Sequence, residues 1–208
     1  MKEPQLSVET LLKLNNWMNQ NEMLLYRIPI FADIRVLSYP LLLTWLYLWG
    51  IYKNNDQPKK LALYLFSSTA WVFITNHIIK LFINKPRPYI ELWLDTPKEE
   101  LLLNQIPTDT FPSDHAAVST TIAMWLLRWW IKKQKPFYQR LSVPFWLFAL
   151  SMWIGRITIA IHRPTDIIAW FTIGIIVSIG IYQNKQLEKV YDQIIKIEKK
   201  IISYIFTI

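Results

Sequence analysis

Residues 61–83 read LALYLFSSTAWVFITNHIIKLFI, and the length of this run decides the fold. It holds one formal charge, Lys80, near its far end. A helix rising ~1.5 Å per residue over such a run crosses a hydrocarbon layer ~30 Å thick with some tilt. Working outward, four more apolar stretches cover about 36–52, 116–131, 142–161 and 165–182. The first and last of these are slightly short, and Arg128 and Arg156 interrupt the other two. A soluble helical protein is the competing reading, but five buried helices in 208 residues leave too little polar surface to cover them. The expected fold is all-α: a polytopic membrane helix bundle of about five transmembrane helices. With 52% hydrophobic residues, four glycines and no cysteine, the chain is no disordered tail, collagen repeat or disulfide scaffold. The missing thiols also exclude thiol catalysis and thiolate metal sites.

The net charge of +8 is unevenly spread. Segment 53–60 sets Lys53, Lys59 and Lys60 against Asp56, and segment 132–141 carries Lys132, Lys133, Lys135 and Arg140 with no acid. The tail after Tyr182 holds five lysines against three acids. Segment 84–113 instead sets Glu91, Asp95, Glu99, Glu100 and Asp109 against Lys85, Arg87 and Lys98, and the first 35 residues are balanced. Basic and non-basic segments alternate, as the positive-inside rule requires of an odd number of spans. The expected protein is a multi-pass protein of the cell membrane, N-terminus outside and C-terminus in the cytoplasm. Its partner is the lipid bilayer and not nucleic acid. Amphipathic helices flank the bundle at both ends. Residues 8–20 form the weaker one. In the tail, Leu187, Val190, Tyr191, Ile194, Ile197, Ile201 and Ile205 recur three or four apart between lysines. That tail either lies on the anionic cytoplasmic leaflet or packs on the bundle or on another subunit.

Ionisable residues in or near spans are costly, so each is a functional hypothesis. They are His77, Lys80, His115, Arg128, Arg156, His162 and Asp166. Arg128 lies within a turn of the cytoplasmic end, where it can snorkel. His77 reads as a packing or hydrogen-bonding residue, and Lys85 and Arg163 as head-group contacts. The others gather at the outer ends of four spans, joined by Arg87. Lys80, Arg87 and Arg156 together call for an anion, most commonly phosphate. Ser113, Asp114 and His115 open a span, so free N–H groups and the positive helix end face that anion. A neutral imidazole attacks phosphorus and a protonated one serves a leaving oxygen. Asp166, four residues after His162, suits the carboxylate that orients a histidine. Each histidine alone reads as an interfacial structural residue; together with the cations they read as phosphoryl transfer to water through a phosphohistidine. No acidic cluster has metal spacing, so catalysis without a metal or other cofactor is expected.

Lys80 with Arg87-Pro88, then Pro112-Ser113-Asp114-His115, then Arg156 with His162 and Asp166, resembles the three signature motifs of the type 2 phosphatidic acid phosphatase superfamily. The resemblance implies a motif-bearing core at about 61–182 within one membrane-embedded domain, 1–208, that ends in a cytoplasmic tail, 183–208. It implies phosphate held by Lys80, Arg87, Arg156, Ser113 and the amide of Asp114. His162 would be the nucleophile, Asp166 its partner, and His115 the acid for the leaving group and then the base for water. Two positions depart from the pattern: Asp114 stands where the family usually has Gly, and Gly155 where it has Ser, which removes a hydroxyl from the expected phosphate cradle. The Pro-Ser-Asp-His form resembles the branch with bacterial undecaprenyl pyrophosphate phosphatases. The implied substrate is a membrane lipid diphosphate, undecaprenyl diphosphate, hydrolysed to the monophosphate at the extracytoplasmic face. The alternatives are phosphatidylglycerophosphate, phosphatidate or lipid A phosphate, or a lipid-binding membrane protein with a dead site. Acyl and prenyl chains leave no motif, and oligomeric state leaves no signal.

Overall fold

The structure, a computed structural model, describes residues 3–34, 37–83, 85–94, 111, 113–134 and 136–206. Pro112 and the loop residues Asp95, Lys98, Glu99, Glu100 and Asp109 lie outside the described residues. Among the described residues the chain is all helical. The elements are α1 (Gln5–Asn19), α2 (Glu22–Ile34), α3 (Ser38–Tyr52), α4 (Asp56–Lys80), a short α5 (Pro88–Glu91), α6 (Asp114–Lys133), α7 (Pro136–Thr158), α8 (Pro164–Gln183) and α9 (Lys185–Phe206). The five expected spans fall on α3, α4, α6, α7 and α8. Of these, α4, α7 and α8 are long and apolar enough to cross a membrane unaided. The other two do not meet that measure: α3 has only 15 residues, and α6 is less apolar and ends in Lys132 and Lys133.

The bundle is built around α6, which packs against α4, α7 and α8. Apolar surface gains little by leaving lipid, so close approach and internal hydrogen bonds must hold such helices together. Both are present. At Gly174 a β-carbon would lie 2.9 Å from the Ala117 carbonyl oxygen and 2.9 Å from Thr120 Cβ, so only glycine lets α8 lie this close to α6. The buried indoles are tied across helices: Trp125 Nε1 donates to Ser68 Oγ at 2.7 Å and Trp153 Nε1 to Ser119 Oγ at 2.9 Å. The outer faces of α4, α7 and α8 expose Phe66, Phe73, Leu147, Ile168 and Ile176, an apolar belt suited to lipid.

The sequence reading has no counterpart of α2, because Arg27 and Pro29 interrupt its short apolar run. The α1–α2 hairpin covers the end of α7, and Met18 and Ala32 pack with Ile159 and Ile161 in a second small core. At the opposite end α9 docks on α4, so the tail packs on the bundle. Its Tyr191 meets Tyr64 edge to face with ring centroids 4.7 Å apart. Lys59, 1% exposed, lies between Asp56 (3.3 Å) and Glu198 of α9 (2.8 Å).

Candidate active site

Helix ends deliver the polar residues. The turn after α7 folds back on its own helix, with the N–H groups of Ile161 and His162 donating to the Arg156 carbonyl at 3.2 and 3.3 Å. Ala160 takes φ 55° within this turn, a left-handed conformation costing a non-glycine residue roughly 1–2 kcal/mol. The neighbouring segment secures that turn. Tyr89 N–H donates to the Ala160 carbonyl at 3.0 Å, Arg87 Nη1 to the Ile161 carbonyl at 3.4 Å, and Arg163 Nη1 to the Pro86 carbonyl at 3.0 Å. Arg87, expected to hold phosphate, is thereby stitched to the turn that carries His162.

Pro164 opens α8, where its missing N–H costs nothing. Asp166 caps that helix: one oxygen accepts from the Arg163 N–H at 2.9 Å and the other from Lys85 Nζ at 2.9 Å. Ser113 caps α6, its hydroxyl oxygen accepting from Ala116 N–H at 3.4 Å. The first N–H groups of α6 open beside it, at the positive end of the helix. The charges of Arg87 and Arg156 act on His115, so these three belong to one electrostatic cluster. Arg87 and Arg156 are each 6% exposed, and Ser113, His162 and Asp166 each 1%. None of Arg87, His115, Arg156, His162 and Asp166 is without a polar, ring or electrostatic partner.

Both departures from the family pattern have structural counterparts. Asp114 accepts from Lys80 Nζ at 3.1 Å and from Asn76 Nδ2, so its carboxylate offsets a cation expected to hold phosphate. A β-carbon at Gly155 would lie 3.2 Å from Ala32 Cβ of α2. That position faces the α1–α2 hairpin, and glycine there relieves a tight helix contact.

Lys85 and Arg163, expected as head-group contacts, belong to a network of ion pairs. Lys85 pairs with Asp166 and with Glu3 at 3.0 Å, while Arg163 pairs with Glu91. Glu3 also accepts from Ser7 at 2.6 Å and from Thr165, which brings the start of α1 over the site. Burial pushes the Glu3 carboxyl up, but hydrogen bonds from Ser7, Thr165 and Lys85 outweigh it and hold the pKa below the ordinary 4.5. His77 is exposed on α4. Sequence reasoning missed Asn76, although it lies one helical turn before Lys80 and so on the same face. It also missed Glu3, for which the sequence carried no signal.

A family model described as the PAP2 superfamily matches residues 61–189. The chain is also similar to Undecaprenyl-diphosphatase BcrC of Bacillus subtilis (strain 168), 25% identical over 175 residues that cover 83% of this chain and 81% of that protein. No solved structure matches the chain.

Proposed function

For a chain that belongs to the PAP2 superfamily, as this one does, we propose a lipid diphosphate as substrate, undecaprenyl diphosphate above others, and a phosphohistidine as intermediate. The carrying observation is the gathering of Arg87, Arg156, His115, His162 and the α6 N-terminus at one end of the bundle. The similarity to an undecaprenyl-diphosphatase favours the diphosphate.

In this mechanism a ring nitrogen of His162 attacks the terminal phosphorus. The bond to the bridging oxygen breaks and the lipid monophosphate departs, with His115 giving its proton to that oxygen. His115 then takes a proton from water, the resulting hydroxide attacks phosphorus, and the P–N bond breaks to release phosphate and free His162. Arg87, Arg156 and Lys80 hold the equatorial oxygens, where negative charge concentrates in the transition state. The Ser113 hydroxyl caps α6 through a lone pair and keeps its hydrogen for a phosphate oxygen. Asp166, anchored by Lys85 and the Arg163 N–H, orients His162.

We read α3 and α6 as the remaining two membrane crossings and residues 1–208 as one domain. The basic end faces the cytoplasm and the site faces outside. One observation favours a second reading: Asp114 on Lys80 lowers the positive charge of the site. That suits a monophosphate such as phosphatidate or phosphatidylglycerophosphate. Phosphate release from purified protein, measured across a panel of lipid mono- and diphosphates, decides between them. Release from none of the panel would leave a lipid-binding protein with a dead site. Orientation is tested with single cysteines at the exposed positions Trp93 and Gln134. An impermeant thiol reagent on intact cells should label the first and spare the second, and the reverse pattern would invert the topology.

A further inference from the structure

At the end of the bundle away from His162, the starts of α4 and α9 and the ends of α6 and α8 enclose a cavity of about 420 Å³. Lys60, Lys132, Lys133 and Lys185 line it against a single acid, Glu188. Aromatic rings form its apolar side: Lys132 Nζ lies 5.2 Å from the Tyr182 ring centroid and Lys133 Nζ 5.5 Å from that of Trp129. Lys60 pairs with Asp192, which fixes the α9 wall. Among the described residues neither Lys132 nor Lys185 has a carboxylate partner. Lysines converging on a concave surface repel one another until an anion enters, and ammonium point charges with aromatic walls suit a phosphate group.

A second groove adjoins this cavity: Lys132 and Tyr182 line both, and Arg128 stacks on the Tyr182 ring at 3.5 Å on the groove side. Met124, Leu127 and Ile131 make it mostly apolar, and its volume is again about 420 Å³. A basic pocket beside an apolar groove along a helix fits a phosphate headgroup and the chain attached to it. We propose that the cavity is a second phosphate site, separate from the cluster around His162. It takes the headgroup of an anionic lipid whose chain lies along Met124, Leu127 and Ile131. Inorganic phosphate shares the headgroup chemistry but leaves the groove empty. The proposal does not depend on the catalytic reading.

The test uses the full chain, purified in detergent and stripped of lipid. Native mass spectrometry counts bound phosphatidylglycerol against phosphatidylcholine, and calorimetry in parallel follows inorganic phosphate. One phosphatidylglycerol should bind in preference to phosphatidylcholine. Lys132→Gln/Lys185→Gln should weaken it about 30-fold. Lys196→Gln/Lys200→Gln removes the same charge from exposed positions on α9 and should change it little. Leu127→Trp, which fills the groove, should weaken the lipid and leave inorganic phosphate unaffected. All three variants should hydrolyse substrate in detergent at the parent rate, so failure here is distinct from failure of the catalytic proposal. Equal losses in the two lysine pairs would reduce the site to diffuse surface charge and overturn the proposal. A phosphate signal that depends on Lys132 and Lys185, without any preference for phosphatidylglycerol, would overturn the lipid assignment in favour of free phosphate.

Discussion

At the end of the bundle that carries His162, Arg87, Arg156 and Arg163 are only 4–6% exposed and the backbone around them is stitched by hydrogen bonds. At the other end Lys132, Lys185, Lys196 and Lys200 stand exposed, and among the described residues Lys59 is the one buried lysine. Burying a cation costs several kcal/mol unless partners hold it. The first end bears that cost, and in the mechanism proposed above its charges are already in position when charge develops on phosphorus. The second end keeps several of its lysines exposed, which suits the cytoplasmic, anionic leaflet proposed for it. Buried, hydrogen-bonded arginines mark the candidate site and exposed lysines the other end, although net charge alone makes the two ends look alike.

The largest expected effect tests the fixed end. His162→Ala should lose about four or more orders of magnitude of phosphate release while keeping the fold. Full turnover by the folded variant would remove the nucleophile proposed here. Arg156→Ala should lower turnover about 10²–10³-fold, as loss of a transition-state cation does, and Lys200→Ala at the other end should lower it hardly at all. Similar losses from both would erase the distinction between the ends. A metal chelator should leave activity intact, and a strict requirement for added magnesium would reveal carboxylate ligands overlooked in the sequence.

Smaller effects sharpen the contrast. Asp114→Asn removes the carboxylate that offsets Lys80, so vanadate and inorganic phosphate should inhibit several-fold more strongly. Unchanged inhibition would place Lys80 outside the anion's reach. Glu198→Ala leaves Lys59 with Asp56 alone, and α9 should loosen by ~1–3 kcal/mol, read as faster amide exchange in that helix. Hydrolysis should be unaffected. The smallest effect concerns Glu3. Its folded pKa is depressed, so its contribution is present above the unfolded value of 4.5 and is lost as pH falls through the folded value. Amide exchange in α1 should rise on acidification below that range, and Glu3→Gln should abolish the pH dependence.

Much of the candidate site was legible before any coordinates. Once the apolar runs alternate across a membrane, Lys80, His115, Arg156, His162 and Asp166 must gather at one end, whatever the helices do sideways. Ser113 and Asp166 stand at the openings of spans in the sequence, and the fold adds that both cap those helices. Pairings between distant segments were not legible. Asp114 reads as an unwelcome charge until Lys80 and Asn76 are found beside it, and Lys85 reads as a surface cation until it is found on Asp166.

What the sequence determined by itself is the all-helical character, the long apolar runs and the charge each carries at its ends, because periodicity and hydropathy are local properties. The tertiary structure decided which charges are neutralised and which backbones touch. Gly155 shows the difference. In the sequence it is a missing hydroxyl, while in the fold its absent β-carbon is what lets Ala32 of a helix more than a hundred residues earlier approach. Thr165 and Glu3, 162 residues apart, form a contact that no local pattern encodes, since hydrogen bonding depends on where chains meet in space.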